Sequence, residues 1–382
     1  MKKILFIIGT RPEAIKLAPL IKTFKKSKAF EVKVCLSSQH KEMVFKVFDF
    51  FRVKADYDLD IMESNQTLFT ITSKLIKRIE EVLSSYKPDF IFVQGDTTTS
   101  FIGALAGFYN KIPVAHIEAG LRSFNKFSPF PEEMNRILTD HISDYHFAPT
   151  EKAKENLLND GISDNIWVVG NTVVDALHLG LKIINKDKIL KEKIESFFSN
   201  FLNFQEKKII LVTSHRRENF GRPFKNFCFA LKKLADNFYD IEIVYPIHLN
   251  PNVREPAYKI LSNHPRIHIL EPLSYPYFIW LMNKSYLILT DSGGLQEEAP
   301  SLGKPLLIIR DTTERHEVVN SGIAKLVGTD TDKITNEASS LILNKKIYNK
   351  MAKKQDIYGD GKTSEKILSI MLDEIIKEKQ IK

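Results

Sequence analysis

Three acidic residues and one histidine stand at the ends of apolar runs. Asp96 follows Phe90-Ile-Phe-Val-Gln-Gly, Glu118 follows Pro113-Val-Ala-His-Ile, and Glu132 follows Ser128-Pro-Phe-Pro with Glu133 beside it. His215 follows Ile209-Ile-Leu-Val-Thr-Ser and precedes Arg216-Arg217-Glu218-Asn219. Acids delivered by separate loops to one edge can serve as general acid and general base, because close carboxylates shift one another's titration. A histidine in that setting can carry a proton or hold a phosphate. Each residue also has an ordinary alternative. Asp96 can be a helix N-cap, Glu118 can pair with nearby Arg122, Glu132 and Glu133 can complement a helix dipole, and His215 can be a structural hydrogen-bonding group. The signal lies in the cluster.

A second set of residues suits a diphosphate. Ile7-Ile8-Gly9-Thr10-Arg11-Pro12-Glu13-Ala14-Ile15-Lys16 reads as strand, glycine turn and helix start, with Pro12 at the first helical position. Arg11 and Lys16 can then face a phosphate, or else be surface cations on a capped helix. Leu287-Ile-Leu-Thr-Asp-Ser292-Gly293-Gly294-Leu-Gln-Glu297-Glu298 is a strand, glycine-rich turn and helix whose backbone N–H groups can hold a diphosphate without a metal. Glu298, one helical turn beyond Gly294, can accept hydrogen bonds from two ribose hydroxyls; the alternative is a turn built for packing alone. His248 in Tyr245-Pro-Ile-His-Leu-Asn and Arg315 in Asp311-Thr-Thr-Glu-Arg follow further strands. The single glycine of the first turn lacks the spacing of a dinucleotide fingerprint, which disfavours NAD, and there is no Walker loop or clustered metal-ligand spacing. A metal-independent enzyme acting on a nucleotide sugar fits these features.

The elements that must position these residues are strands alternating with amphipathic segments, the pattern of a parallel sheet wrapped by helices. Strands are expected at 2–8, 32–37, 90–94, 113–118, 144–148 and 166–169, and again at 208–214, 241–246, 267–270, 286–290, 305–308 and 324–327. The polar motifs follow strands, where open α/β sheets bind ligands. A charged helical stretch, 182–199, follows Asn171-Thr-Val-Val-Asp175 and puts the domain joint near residue 172. Two halves with inward-facing strand ends would place the site in a cleft between them.

The bulk properties are permissive. A chain of 382 residues, 43% hydrophobic and 27% charged, has globular composition and a length that suggests two domains. The net charge of +8 suits an anionic ligand or plain solubility, and the cations lack the aromatic interleaving of a nucleic-acid surface. Met1-Lys-Lys followed by Ile4–Ile8 is too short for a signal peptide, and no apolar stretch is long enough for a membrane span. Cys35 and Cys228 lie far apart in apolar segments. A reduced cytoplasmic protein without disulfides or zinc is expected.

Gly-Thr-Arg-Pro-Glu, Gln-Gly-Asp, His-Ile-Glu-Ala-Gly, Pro-Glu-Glu, His-Arg-Arg-Glu-Asn, Ser-Gly-Gly and Thr-Glu-Arg, in this order, resemble the non-hydrolysing UDP-N-acetylglucosamine 2-epimerases over roughly residues 1 to 370. The resemblance implies an α/β fold of two Rossmann-like domains facing across a cleft, of the glycosyltransferase-B type. An N-terminal domain, 1–172, would carry the catalytic carboxylates and a C-terminal domain, 173–362, would bind UDP, with a helix at 363–382 packing back on the first domain. It implies Asp96, Glu118, Glu132 and His215 as catalytic, and Arg11, Lys16, His248, Ser292, Gly293, Gly294, Glu298 and Arg315 as UDP and sugar ligands. UDP would be eliminated to leave 2-acetamidoglucal and added back, with no redox cofactor and no obligatory metal. The resemblance further implies a homodimer, a role in bacterial cell-surface polysaccharide synthesis and, at Gln39-His40, an activator site for a second substrate molecule. The chain departs from relatives at Asn65 (often arginine), Phe130 (often tryptophan) and His316 (usually proline). The rival readings are an epimerase of a modified UDP-sugar, a hydrolysing epimerase, a glycosyltransferase of the same fold, which would need an acceptor site, and a catalytically dead UDP-sugar sensor.

Overall fold

The computed structural model describes residues 1–37, 41–63 and 66–381. The chain divides into two compact units, Met1–Leu179 with Tyr358–Lys382, and Gly180–Ile357. The division falls within the helix Thr172–Lys186 and not ahead of it, and the returning segment starts at Tyr358 and not at residue 363. Gln39, His40 and Asn65 lie outside the described residues.

The first unit is built on a parallel 7-stranded sheet with the order β3-β2-β1-β4-β5-β6-β7. Its strands are β1 Lys2–Ile8, β2 Phe30–Leu36, β3 Tyr57–Asp58, β4 Phe90–Gln94, β5 Val114–Ile117, β6 Tyr145–Ala148 and β7 Ile166–Val168. A parallel sheet covered on both faces needs apolar side chains on both, so its strands read as unbroken hydrophobic runs. Ile4 to Ile8 are fully buried, and the Phe6 ring packs 4.9 Å from that of Phe92 and 6.0 Å from that of Phe24. The two-residue β3 at the sheet edge is too short and too polar to leave such a run. The last helix, Thr363–Ile381, buries Ile367, Met371 and Ile375 at four-residue spacing and packs against the helix Arg11–Lys26.

The second unit holds a parallel 6-stranded sheet with the order β10-β9-β8-β11-β12-β13. Its strands are β8 Lys208–Thr213, β9 Ile241–Pro246, β10 Ile267–Leu270, β11 Leu287–Thr290, β12 Leu306–Ile308 and β13 Ala324–Leu326. Ile210, Val212, Phe227, Leu231, Ile243, Tyr245 and Leu289 form part of its core. The charged stretch expected as one helix at 182–199 is two, Thr172–Lys186 and Lys188–Ser199, because Asp187 caps the second by accepting from Leu190 N at 3.0 Å. Among the described residues no helix is long and apolar enough to cross a membrane.

Candidate active site

In the first unit, strand register places the acids. Gln94 on β4 pairs with Ile117 on the adjacent β5, so Asp96 and Glu118 leave neighbouring strands at nearly the same level. Asp96 is not the helix cap. Thr97 fills that role for the helix Thr98–Tyr109 by accepting from Ser100 N at 3.1 Å. The Asp96 carboxylate is instead bonded by Arg136 Nη2, while its carbonyl accepts from Asn135 Nδ2 at 3.0 Å. Both partners lie on the helix Glu132–Ile142, so the helix that begins with Glu132 also carries the cation that holds Asp96. Its N-cap is Pro131. Pro12, expected at the first position of its helix, is displaced by one, since that helix starts at Arg11.

Glu132 and Glu133 have separate surroundings. Glu133 is fully buried and accepts from Ser123 N, Phe124 N and Arg136 Nη1, each at 2.9 Å, which anchors the loop between β5 and the helix. Glu132 keeps its Oε2 buried with no hydrogen-bond partner. A buried carboxylate oxygen left in that state is costly and marks a place where a proton or a ligand group would be satisfied. The Arg136 guanidinium is itself largely buried, but Asp96, Glu133 and Glu118 outweigh the burial and hold its charge more firmly than usual.

Glu118 does not pair with Arg122. Its Oε2 is bonded by Lys16 Nζ and accepts from Gln94 Nε2 at 3.0 Å and Asn171 Nδ2 at 3.1 Å. Arg122 instead donates to Asp140 Oδ2 and to Asp160 Oδ2, each at 2.7 Å. Asp140 also contacts His116 Nδ1 at 2.6 Å, and His116 Nε2 donates to the Gly95 carbonyl at 2.8 Å. Burial works to raise the Asp140 titration, and His116 and Arg122 outweigh it and hold the group below its ordinary value. Glu118 has φ 70°, in the left-handed region that disfavours a side chain.

Glu13, which sequence reasoning passed over, is the buried hub of the first loop. Its Oε2 accepts from Thr10 N at 2.6 Å, Thr10 Oγ1 at 2.7 Å and Gly9 N at 3.2 Å, and its Oε1 accepts from Thr97 Oγ1 at 3.0 Å. It thereby joins the loop that carries Arg11 to the residue after Asp96. Burial pushes its carboxyl up to about 7 against the opposing effect of those hydrogen bonds. The Thr-x-x-Glu spacing of a capping box was its signal in the sequence.

In the second unit, His215, His248, Ser292 and Arg315 follow β8, β9, β11 and β12, which are neighbours in the sheet. The His215 and His248 rings stack with centroids 5.6 Å apart. His248 Nδ1 accepts from Asn250 N at 3.1 Å. Burial lowers the His215 titration; Arg216 and His248 add to that effect and Asp291 opposes it. Asp291 organises the edge: it is fully buried and accepts from Ser214 Oγ at 2.8 Å, from the backbone of His215 at 3.0 Å and of Arg216 at 3.0 Å, and from Asn219 Nδ2 at 3.2 Å.

Ser292 is the N-cap position of the helix Gly293–Leu302, and Glu298 on that helix is buried. Arg315 arrives from the loop after β12 and is held by Glu297 Oε1, at 2.9 Å from Nε and 2.7 Å from Nη2, and by Glu314 Oε1 at 2.7 Å from Nη1. A Cβ on Gly293 would lie 2.9 Å from Arg315 Cζ, so a side chain there would push the guanidinium from its place over the turn. Burial opposes ionisation of Glu314, but Arg315 and Arg310 prevail and bring its carboxyl down to about 2.

Two Rossmann-like units with polar residues at the carboxyl ends of their strands define an α/β protein of the glycosyltransferase-B type. The family model described as UDP-N-acetylglucosamine 2-epimerase matches residues 22–372. The UDP-N-acetylglucosamine 2-epimerase of Campylobacter jejuni is 48% identical over 374 residues, covering 97% of this chain and 98% of that one; the Escherichia coli K12 protein of the same name is 47% identical over 371 residues, covering 97% and 98%. Among solved structures, the Neisseria meningitidis UDP-GlcNAc 2-epimerase bound to UDP-GlcNAc has a TM-score of 0.91 at 48% identity, covering 97% of this chain and 100% of that one. The Methanocaldococcus jannaschii enzyme in complex with UDP-GlcNAc and UDP has a TM-score of 0.80 at 38% identity, covering 97% and 99%. The chain belongs to the UDP-N-acetylglucosamine 2-epimerase family and, as an epimerase, is an isomerase.

Proposed function

We propose that the protein inverts C2 of UDP-N-acetylglucosamine to give UDP-N-acetylmannosamine, by eliminating UDP to 2-acetamidoglucal and adding it back. The observation that carries this reading is the placing of Asp96, Glu118 and Glu132 by one sheet edge, the first two beside cations and the third with a buried oxygen unpartnered. Elimination takes the C2 proton to a protein base, turns the C2–H electron pair into the C1–C2 double bond and releases the anomeric oxygen with UDP. Readdition reverses each change, with the proton returned to the opposite face, so acid–base groups are needed on two sides of the ring. Electrons balance without an oxidant or reductant, and the reading requires neither NAD nor an obligatory metal.

In this reading Arg11, Lys16, His248, Ser292, Gly293, Gly294, Glu298 and Arg315 bind UDP and sugar, and His215 joins the carboxylates in proton handling. Relatives crystallised with UDP-GlcNAc and UDP support the choice of substrate. The same reading makes the protein a cytoplasmic homodimer that supplies polysaccharide synthesis and is activated by substrate at Gln39-His40.

Proton NMR of the protein with UDP-N-acetylglucosamine in deuterated water tests it. Loss of the C2 proton signal with growth of UDP-N-acetylmannosamine is the expected result. Free N-acetylmannosamine would assign hydrolysis instead, and no exchange with or without added activator would overturn the proposal.

A further inference from the structure

We propose that Asn171 is a positioning residue for Glu118, tying that carboxylate to the place where segments 169–175 and 358–364 of the first unit cross. The inference rests on the reading of Glu118 as a proton-handling group.

Asn171 is buried, and each polar group cited has a defined partner: Nδ2 donates to Glu118 Oε2 at 3.1 Å, Oδ1 accepts from Val173 N at 3.0 Å, and the backbone N–H donates to the Tyr358 carbonyl at 2.6 Å. Turning the amide over would set its oxygen against a carboxylate and its nitrogen against an N–H, so the network fixes its orientation. Lys16 from the helix Arg11–Lys26 and Gln94 from β4 donate to the same Oε2. Three separate parts of the unit therefore aim Glu118, whose left-handed backbone is disfavoured and needs such support.

The crossing that carries Asn171 is tightly clamped. Gly170 has φ +95°, and a Cβ there would meet Thr363 Oγ1 at 2.7 Å and Gly359 Cα at 2.9 Å. Thr363 Oγ1 donates to the Val169 carbonyl at 3.1 Å, and the Asp175 carboxylate accepts from Thr363 N at 3.2 Å and Ser364 N at 2.7 Å. Asn171 is thus held on both sides along the chain, and its amide reaches Glu118 from a backbone with little freedom.

The chemical consequence follows from the direction of the bond. A donor to a carboxylate favours its ionised form, and a second carboxylate in the donor's place disfavours it. The charged groups facing Glu118 include Lys16 and, from the helix Glu132–Ile142, Arg136; Gln94 and Asn171 are neutral. In Asn171→Asp the new group still accepts from Val173 N but sets a like charge against Glu118 Oε2, and it can donate again once protonated.

The test compares Asn171→Asp and Asn171→Ala with the wild type and with Glu118→Gln, recording kcat, KM for UDP-N-acetylglucosamine, the pH profile and the thermal midpoint. We expect Glu118→Gln to be inactive and both Asn171 variants to lose roughly tenfold in kcat with little change in KM. Whichever limb of the profile reports Glu118 moves about one unit to higher pH in Asn171→Asp. Inactive Glu118→Gln beside Asn171 variants of near-normal kcat would overturn the inference alone, as would losses that follow the unfolded fraction while the limbs stay in place. A fully active Glu118→Gln would overturn the reading of Glu118 and this inference with it.

Discussion

The loops beyond both sheets carry ion pairs, Arg315 with Glu297 and Glu314 in the second unit among them, but the carboxylates at their centres are held differently. In the first unit the edge is cross-linked by charge: Lys16 with Glu118, Arg136 with Asp96 and Glu133, and Arg122 with Asp140 and Asp160. In the second, one buried carboxylate, Asp291, gathers a hydroxyl, two backbone N–H groups and an amide, and the neighbouring turn is kept small. The contrast matches the work that the proposed function asks of each. Groups that exchange protons are tuned by cations beside them, whereas a diphosphate is held by oriented N–H dipoles whose loops must stay still.

The comparison can be broken at its strongest point first. Asp291→Ala strands the Ser214 hydroxyl, the N–H groups of His215 and Arg216 and the Asn219 amide, and should cost roughly 3 kcal/mol in urea unfolding while abolishing UDP binding. A small loss would show that the second edge does not depend on one hub. On the first edge, Arg136→Met removes the shared partner of Asp96 and Glu133, and turnover should fall about a hundredfold through misplacement of those carboxylates. Retained turnover would remove charge cross-linking from the account.

Glu13→Gln sharpens the comparison by pH. The folded value of about 7 lies above the ordinary 4.5, so the stability this group contributes is complete below about pH 4.5 and is lost as the pH rises through 7. Glutamine has no such loss. The wild type should therefore fall relative to Glu13→Gln by roughly 3 kcal/mol between pH 4.5 and pH 8, read from urea midpoints. Parallel curves would mean that Glu13 stays ionised within its ring of donors.

The smallest effects come from adjacent glycines. Gly293→Ala crowds the Arg315 guanidinium, whereas a Cβ on Gly294 meets only Ser292 Oγ at 3.9 Å. Calorimetry with UDP should show affinity reduced about tenfold in Gly293→Ala. Gly294→Ala should stay within roughly 0.5 kcal/mol of wild-type stability, so that any loss of UDP affinity there reports an anion at the turn.

Both sheets were largely readable because parallel strands buried on two faces must be apolar along their length. β3 escaped for lack of that signature, and the helix break at Asp187 was missed because an aspartate in a charged run looks like surface until its capping bond is seen. Asp96, Glu118 and Glu132 were recognisable from their places after strands and at a helix start. Their partners were not. Asp96 and Thr97 are both good caps, and only the geometry chose Thr97; Arg122 is the nearer cation to Glu118 in sequence, yet Lys16, 102 residues away, bonds it.

What the sequence by itself determined was therefore the local part: hydrophobic runs that become strands, glycines and capping residues that become turns, and the types of side chain delivered to each strand end. These depend on neighbours a few residues apart. Tertiary structure alone decided which acid is paired and which keeps an oxygen unpartnered, that Glu13 reaches Thr97, that Asp140 and Asp291 are structural hubs, and that Asn171 touches Glu118. Electrostatic and hydrogen-bond energies act over a few ångströms of space, and a chain brings distant residues within that range only after it has folded.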